Sequence, residues 1–154
     1  LAAAKHVSSL SYVDSKRIGI CGWSYGGYET LMAISHKQSP FAAAVAIAPV
    51  TDWRYYDTIY AERYMLTPQS NEEGYNAGSP IKLAKNVSCP LLLMSGTADD
   101  NVHFQNTIEY VSQLQSNGIL CDMLIFPNMN HSINHCNARS LVYAKMIDYF
   151  KRNM

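Results

Sequence analysis

The sequence predicts an α/β fold in which a mostly parallel sheet carries helices on both faces. Three observations lead there. Four short apolar runs lack the alternation of a half-exposed strand, segments with helical apolar spacing separate them, and each run ends at glycine, proline or a polar turn. Parallel strands need a crossover that returns over the sheet, so strands alternating with helices mark this architecture. A chain of 154 residues can enclose the core of one domain.

Residues Ala3 to Tyr12 read as the end of a helix, followed by a turn and the first strand, Arg17 to Cys21. Gly22 to Gly27 comes next, and Tyr28, Leu31, Met32 and Ser35 then recur at helical spacing up to Gln38-Ser39-Pro40. Ala42 to Ile47 is the second strand, stopped by Ala48-Pro49. Residues 50 to 88 are polar and aromatic, with helical segments around Tyr55 to Tyr64 and Ile81 to Lys85 and turn residues from Thr67 to Pro80. An insertion of this kind between strands suits a pocket wall or lid. Pro90 to Met94 forms the third strand, and Phe104, Ile108, Val111 and Leu114 share a helical face before the Asn117-Gly118 stop. Met123 to Phe126 is the fourth strand, and Tyr143, Ile147, Phe150 and Met154 line one side of a final helix.

The 12 basic residues balance the 12 acidic ones with no long run of one sign, which argues against a nucleic-acid or membrane-surface partner. The opening Leu1-Ala2-Ala3-Ala4-Lys5 is too short to span a bilayer and lacks the basic start of an export signal. Cys21, Cys89, Cys121 and Cys136 are too far apart for a structural zinc motif and read mostly as buried free thiols, with a Cys121–Cys136 pairing one of the alternatives. Asn86-Val87-Ser88 has the N-glycosylation pattern, which acts only in a glycosylating secretory route.

The chemistry concentrates in three places. Gly22-Trp23-Ser24-Tyr25-Gly26 fits a nucleophile elbow, a sharp strand-to-helix turn that presents Ser24 and aims the Tyr25 N–H at a developing oxyanion. Glycines are expected where the turn crowds its neighbours. Serine needs a base, and the base an orienting carboxylate. Asp99 and Asp100 follow the third strand and His131 follows the fourth, both at strand ends where functional loops of parallel sheets gather. Spacing favours Asp99 over Asp100 only slightly, and position alone does not exclude His103 or His135. His6 and His36 read as surface residues on helices, and His103, His131, His135 and the aspartates form no compact metal motif. The pattern fits the nucleophile, acid and base positions of an α/β-hydrolase.

From about Ser9 onward the chain resembles the dipeptidyl peptidase IV group of the prolyl oligopeptidase family, particularly its bacterial members. The resemblance rests on Gly22 to Tyr28, Ala48 to Trp53 with Tyr55-Tyr56-Asp57, Tyr60 to Met65, Gly96 to Gln105 and Asn130-His131. It implies a catalytic triad of Ser24, Asp99 and His131, and a proline pocket of Tyr25, Val50, Trp53, Tyr56, Tyr60 and Val102, with Asn101 holding the carbonyl before proline. A flat aromatic box favours a compact apolar ring. The implied substrate is a peptide with penultimate proline, cleaved to release an N-terminal dipeptide. Acyl transfer of this kind uses the protein's own side chains and backbone donors, and no cofactor is expected.

The same resemblance implies that residues 1–154 are the C-terminal part of an α/β-hydrolase catalytic domain, with the family's propeller domain and the first half of the hydrolase domain outside this chain. Those segments would supply the amine-binding glutamates and a tyrosine donor to the oxyanion hole. A homodimer and a periplasmic or cell-envelope parent are further expectations. Ser95 stands where many relatives have histidine, and Ser132 where glycine is common. A broader serine peptidase or esterase is the alternative within enzymes, and a non-catalytic interaction fragment the alternative outside them.

Overall fold

A computed structural model describes residues 1–154. Four parallel strands form one sheet in the order β1-β2-β3-β4: β1 (Gly19–Trp23), β2 (Ala43–Ile47), β3 (Leu91–Gly96) and β4 (Asp122–Phe126). The helices are α1 (Ala2–Ser8), α2 (Tyr25–Ile34), α3 (Thr58–Met65), α4 (Glu72–Ala77), α5 (Pro80–Leu83), α6 (Gln105–Ser116) and α7 (Ala138–Asn153). The predicted α/β class and mostly parallel sheet are therefore present.

The two central strands are buried along their entire length, which explains why their sequences run apolar without alternation. Alternate residues serve opposite layers. Ala44, Ala46, Leu91 and Leu93 pack with Leu31 and Ile34 of α2 and Tyr110 and Leu114 of α6. Val45, Ile47, Leu92 and Met94 pack on the other face against Val142 and Tyr149 of α7. Each fully buried leucine contributes about 1.5–3 kcal/mol by leaving water. The small residues of β2 let α2 lie close to the sheet.

Several boundaries and faces differ from the sequence reading. β1 begins at Gly19 and extends to Trp23, because the ladder pairs Gly19 with Ala43 and Trp23 with Ile47. α1 stops at Ser8 and short turns carry the chain through Leu10 and Val13. Within the expected turn region lies α4: Asn71 caps it by accepting from the Gly74 N–H at 3.2 Å, and Glu72 and Glu73 complement its positive end. Gly74 in its middle disguises it. The face of α7 that meets the sheet is Ala138, Val142 and Tyr149, whereas Tyr143 and Ile147 are exposed. On α6 the buried residues are Asn106, Thr107, Tyr110 and Leu114, and Ile108 faces solvent. The apolar residues chosen from spacing mark only part of each buried stripe, since Ala, Thr, Asn and Tyr fill the rest.

The four thiols are free, so Cys121 and Cys136 are not paired, and only Cys89 and Cys121 are partly enclosed. Burial pushes both of these thiols up from their ordinary value. Alkylation at mildly alkaline pH should therefore modify the exposed Cys21 and Cys136 first, with Cys89 and Cys121 reacting after unfolding. Peptide mass mapping of a timed iodoacetamide reaction checks this order.

Candidate active site

The strand-to-helix turn puts Ser24 at φ 59° and ψ −118°, a left-handed conformation strained for a residue with Cβ. Such positions cost on the order of 1–3 kcal/mol and persist where surroundings enforce them. Two neighbours enforce this one. The Ser24 N–H donates to Ile47 O at 2.8 Å, and α2 starts immediately afterwards at Tyr25. A Cβ on Gly22 would stand 2.0 Å from Gly26 O, and one on Gly27 would stand 3.0 Å from Ile47 O. Gly26 itself faces open space, so crowding explains Gly22 and Gly27 but not the last glycine of the elbow pattern. The Ser24 side chain makes no cap bond to α2 and remains free. The Tyr25 N–H, in the first turn, has no partner within the helix.

The loops after β3 and β4 are fastened to each other. Thr97 N–H donates to Phe126 O at 3.1 Å, Ala98 N–H to Met129 O at 3.1 Å, and Asn128 N–H to Thr97 Oγ1 at 2.9 Å. At Gly96 a side chain would meet Met129 O at 2.2 Å, so the loops approach as closely as backbone permits. This contact brings Asp99 Oδ2 to 2.7 Å from His131 Nδ1. Asp99 Oδ1 accepts from the N–H groups of Asn101 at 3.0 Å and Val102 at 2.9 Å. The carboxylate side chain is wholly enclosed. Asp100 is exposed and does not reach His131, so geometry separates two aspartates that spacing could not.

Trp23, beside Ser24, donates from Nε1 to His131 O at 3.1 Å, which ties the elbow to the loop carrying the histidine. His103 lies beside Asp100 in a polar recess, His135 contacts Cys136 Sγ at 3.0 Å, and His6 and His36 are exposed. His36 sits on the turn after α2 and not on the helix.

The expected pocket residues meet in one aromatic cluster. Trp53 lies at the centre, with ring centroids of Tyr25 at 5.8 Å, Tyr28 at 5.0 Å, Tyr56 at 5.9 Å and Tyr60 at 5.8 Å. Val50 and Val102 are buried beneath it. A cavity of about 390 Å³ opens among Tyr25, Trp53 and Tyr60, together with Tyr28, Ala61, Tyr64 and Met65, which sequence reasoning missed. A signal existed, because Tyr28 follows Tyr25 by three and Tyr64 follows Tyr60 by four, one helical turn each. Tyr56 and Asn101 instead border a neighbouring polar recess of about 610 Å³. Tyr56 OH donates to Asn101 Oδ1 at 2.9 Å. Burial, and behind it the charge of Asp57, pushes the Tyr56 phenol up, so it remains a donor. The Asn101 amide oxygen is thereby occupied, which leaves its NH₂ available.

A buried polar clamp fixes the turn that carries Trp53. Asp52 accepts from Arg54 N–H at 2.9 Å and from Ser79 Oγ at 2.7 Å, and pairs with the Arg54 guanidinium. Thr51 N–H donates to Asn106 Oδ1 at 3.0 Å, joining this segment to the start of α6. Ser95 is buried in β3, and Ser132 is exposed beside His131.

A strained serine between a parallel strand and a helix, with an aspartate–histidine pair on loops beyond two further strands, defines the α/β-hydrolase class of fold. Within that class the chain belongs to the prolyl oligopeptidase family, which it matches over residues 1–154. It is 43% identical over 155 residues to dipeptidyl aminopeptidase B of Saccharomyces cerevisiae, a match covering 99% of this chain and 19% of the relative. The crystal structure of Porphyromonas gingivalis dipeptidyl peptidase 4 superposes with a TM-score of 0.96 at 45% identity, over 99% of this chain and 22% of that one. The chain thus spans about a fifth of the length of each of these relatives.

Proposed function

We propose that this chain carries the nucleophile, acid, base and proline pocket of a serine exopeptidase that releases X-Pro dipeptides from peptide N-termini. The observation that supports it most is the 2.7 Å Asp99–His131 bond on loops tethered to the Ser24 elbow. With the Nδ1 proton held by Asp99, Nε2 is the free base of the imidazole. His131 takes the Ser24 proton, Ser24 Oγ attacks the carbonyl after proline, and the Tyr25 N–H at the head of α2 stabilises the oxyanion. The protonated His131 passes its proton to the departing amine, and water repeats the sequence to free the dipeptide.

Tyr25, Val50, Trp53, Tyr56, Tyr60 and Val102 would enclose the proline ring, and the free NH₂ of Asn101 would hold the preceding carbonyl. The relatives are named dipeptidyl aminopeptidase B and dipeptidyl peptidase 4, which supports the same reading for this chain. Amine recognition by glutamates and the second oxyanion donor would come from segments outside these residues.

Fluorophosphonate labelling of the chain tests the reading. Modification at Ser24 that disappears in His131→Ala is the expected result, located by peptide mass mapping. A folded chain that resists the reagent would overturn it. The 390 Å³ cavity exceeds what a pyrrolidine ring fills and favours, as a second reading, a broader peptidase or esterase. Faster turnover of a bulky aromatic ester than of an X-Pro ester would select that reading.

A further inference from the structure

The loop after β4 departs from an easy backbone path. Ile133 at φ 44° and Cys136 at φ 50° both adopt the left-handed region without being glycine, and Asn128 at φ 58° does so just upstream. A segment with this much local cost needs anchors. Ile133 supplies one by complete burial against the face of the sheet covered by α7. The others converge on two successive carbonyls. Trp23 Nε1 donates to His131 O at 3.1 Å, and Arg139 Nη2, from the first turn of α7, donates to Ser132 O. The donors also touch each other, because the Arg139 guanidinium carbon stands 4.6 Å from the Trp23 ring centroid.

This is a closed arrangement. Arg139 holds the indole by its cationic face, the indole holds His131, and Arg139 holds the residue after it. Its Nε is enclosed without a hydrogen-bond partner, a cost offset only by the stacking and by the bond from Nη2. A planar guanidinium suits this double role, stacking on an aromatic face while donating from its edge. We infer that Arg139 and Trp23 are a positioning pair that holds His131 against the Ser24 elbow, an inference that rests on the serine-hydrolase reading. Asp99 restrains the imidazole from one end, through Nδ1, while the pair restrains its backbone from the other.

The chain has only two tryptophans, so the indole N–H signals of Trp23 and Trp53 report independently. Arg139→Met keeps length and apolar bulk but removes the charge and the donors. It is expected to speed hydrogen exchange of the Trp23 indole at least about 10-fold while leaving Trp53 unchanged. Fluorophosphonate labelling of Ser24 should slow by about 10- to 100-fold, as displacement of a reacting group by about 1 Å does, with the reagent's apparent affinity retained. Arg139→Lys, which restores a cation over the ring and one donor, should recover part of both.

Unchanged Trp23 exchange in Arg139→Met would overturn the inference. So would a released Trp23 with unchanged labelling, or equal loosening of both indoles, which would signal general destabilisation. Failure of the unsubstituted chain to label counts against the hydrolase reading itself. The indole exchange then still decides whether Arg139 holds the loop.

Discussion

Replacing Asp99 with asparagine is expected to slow acylation of Ser24 by about 10⁴-fold, as loss of the orienting carboxylate does in other serine hydrolases, with little change in reagent affinity. The hydrogen bonds explain the size. Asp99 Oδ1 accepts two backbone N–H groups, from Asn101 and Val102, so the amide oxygen of asparagine must take that place. Its NH₂ is then directed at His131 Nδ1, which can only accept. The imidazole is forced to carry its proton on Nε2, and a protonated Nε2 cannot receive the proton of Ser24. Labelling rates at several reagent concentrations separate the maximal rate, which should fall, from the apparent affinity, which should hold. A decrease below tenfold would mean that Asp99 does not govern the tautomer.

The second large effect concerns two glycines of one motif. Gly22→Ala forces a Cβ to 2.0 Å from Gly26 O, a collision of the new methyl with backbone that no side-chain rotation relieves. Overpacking ordinarily costs about 1–3 kcal/mol, and this case belongs at or above the upper end. For a domain of this size the melting temperature should fall on the order of 10 °C. Gly26→Ala meets nothing within 4 Å and lies inside α2, so helix propensity should make it neutral or stabilising by up to about 1 kcal/mol. Thermal unfolding of the two variants side by side checks the contrast. Equal melting temperatures would show that the turn does not close as described.

The architecture was legible because buried parallel strands leave a strong mark. β2 is apolar at every position and β3 from Leu91 to Met94, and the glycine-rich turn between β1 and α2 has few other uses. Helix faces were read less well. Tyr143 and Ile147 look like core residues by hydrophobicity, yet α7 turns Ala138 and Val142 inward and leaves those two in solvent. Periodicity identifies a helix but cannot say which of two adjacent stripes meets the sheet when small residues occupy the true one. Short α4 was invisible for another reason, since six residues with a central glycine depend on the Asn71 cap and the burial of Tyr75.

At the site, the residue types and their order along the chain were readable, while the choice between Asp99 and Asp100 was not. One is enclosed by two backbone donors and the other faces outward, a difference made by loop folding and absent from spacing. Arg139 carries no motif. It gains significance only because α7 begins where Trp23 presents its ring.

The sequential strand order bears on how the molecule comes into being. β2, β3 and β4 each pair with the strand made just before, so this part of the sheet can grow in the direction of synthesis. Ser24 emerges before the loop bearing His131, which comes only after β4. At ordinary translation rates that interval is roughly 5–20 s. During it the nascent chain holds a hydroxyl with no base to deprotonate it. On the serine-hydrolase reading, Ser24 stays chemically silent on the ribosome until β4 and the loop after it have emerged.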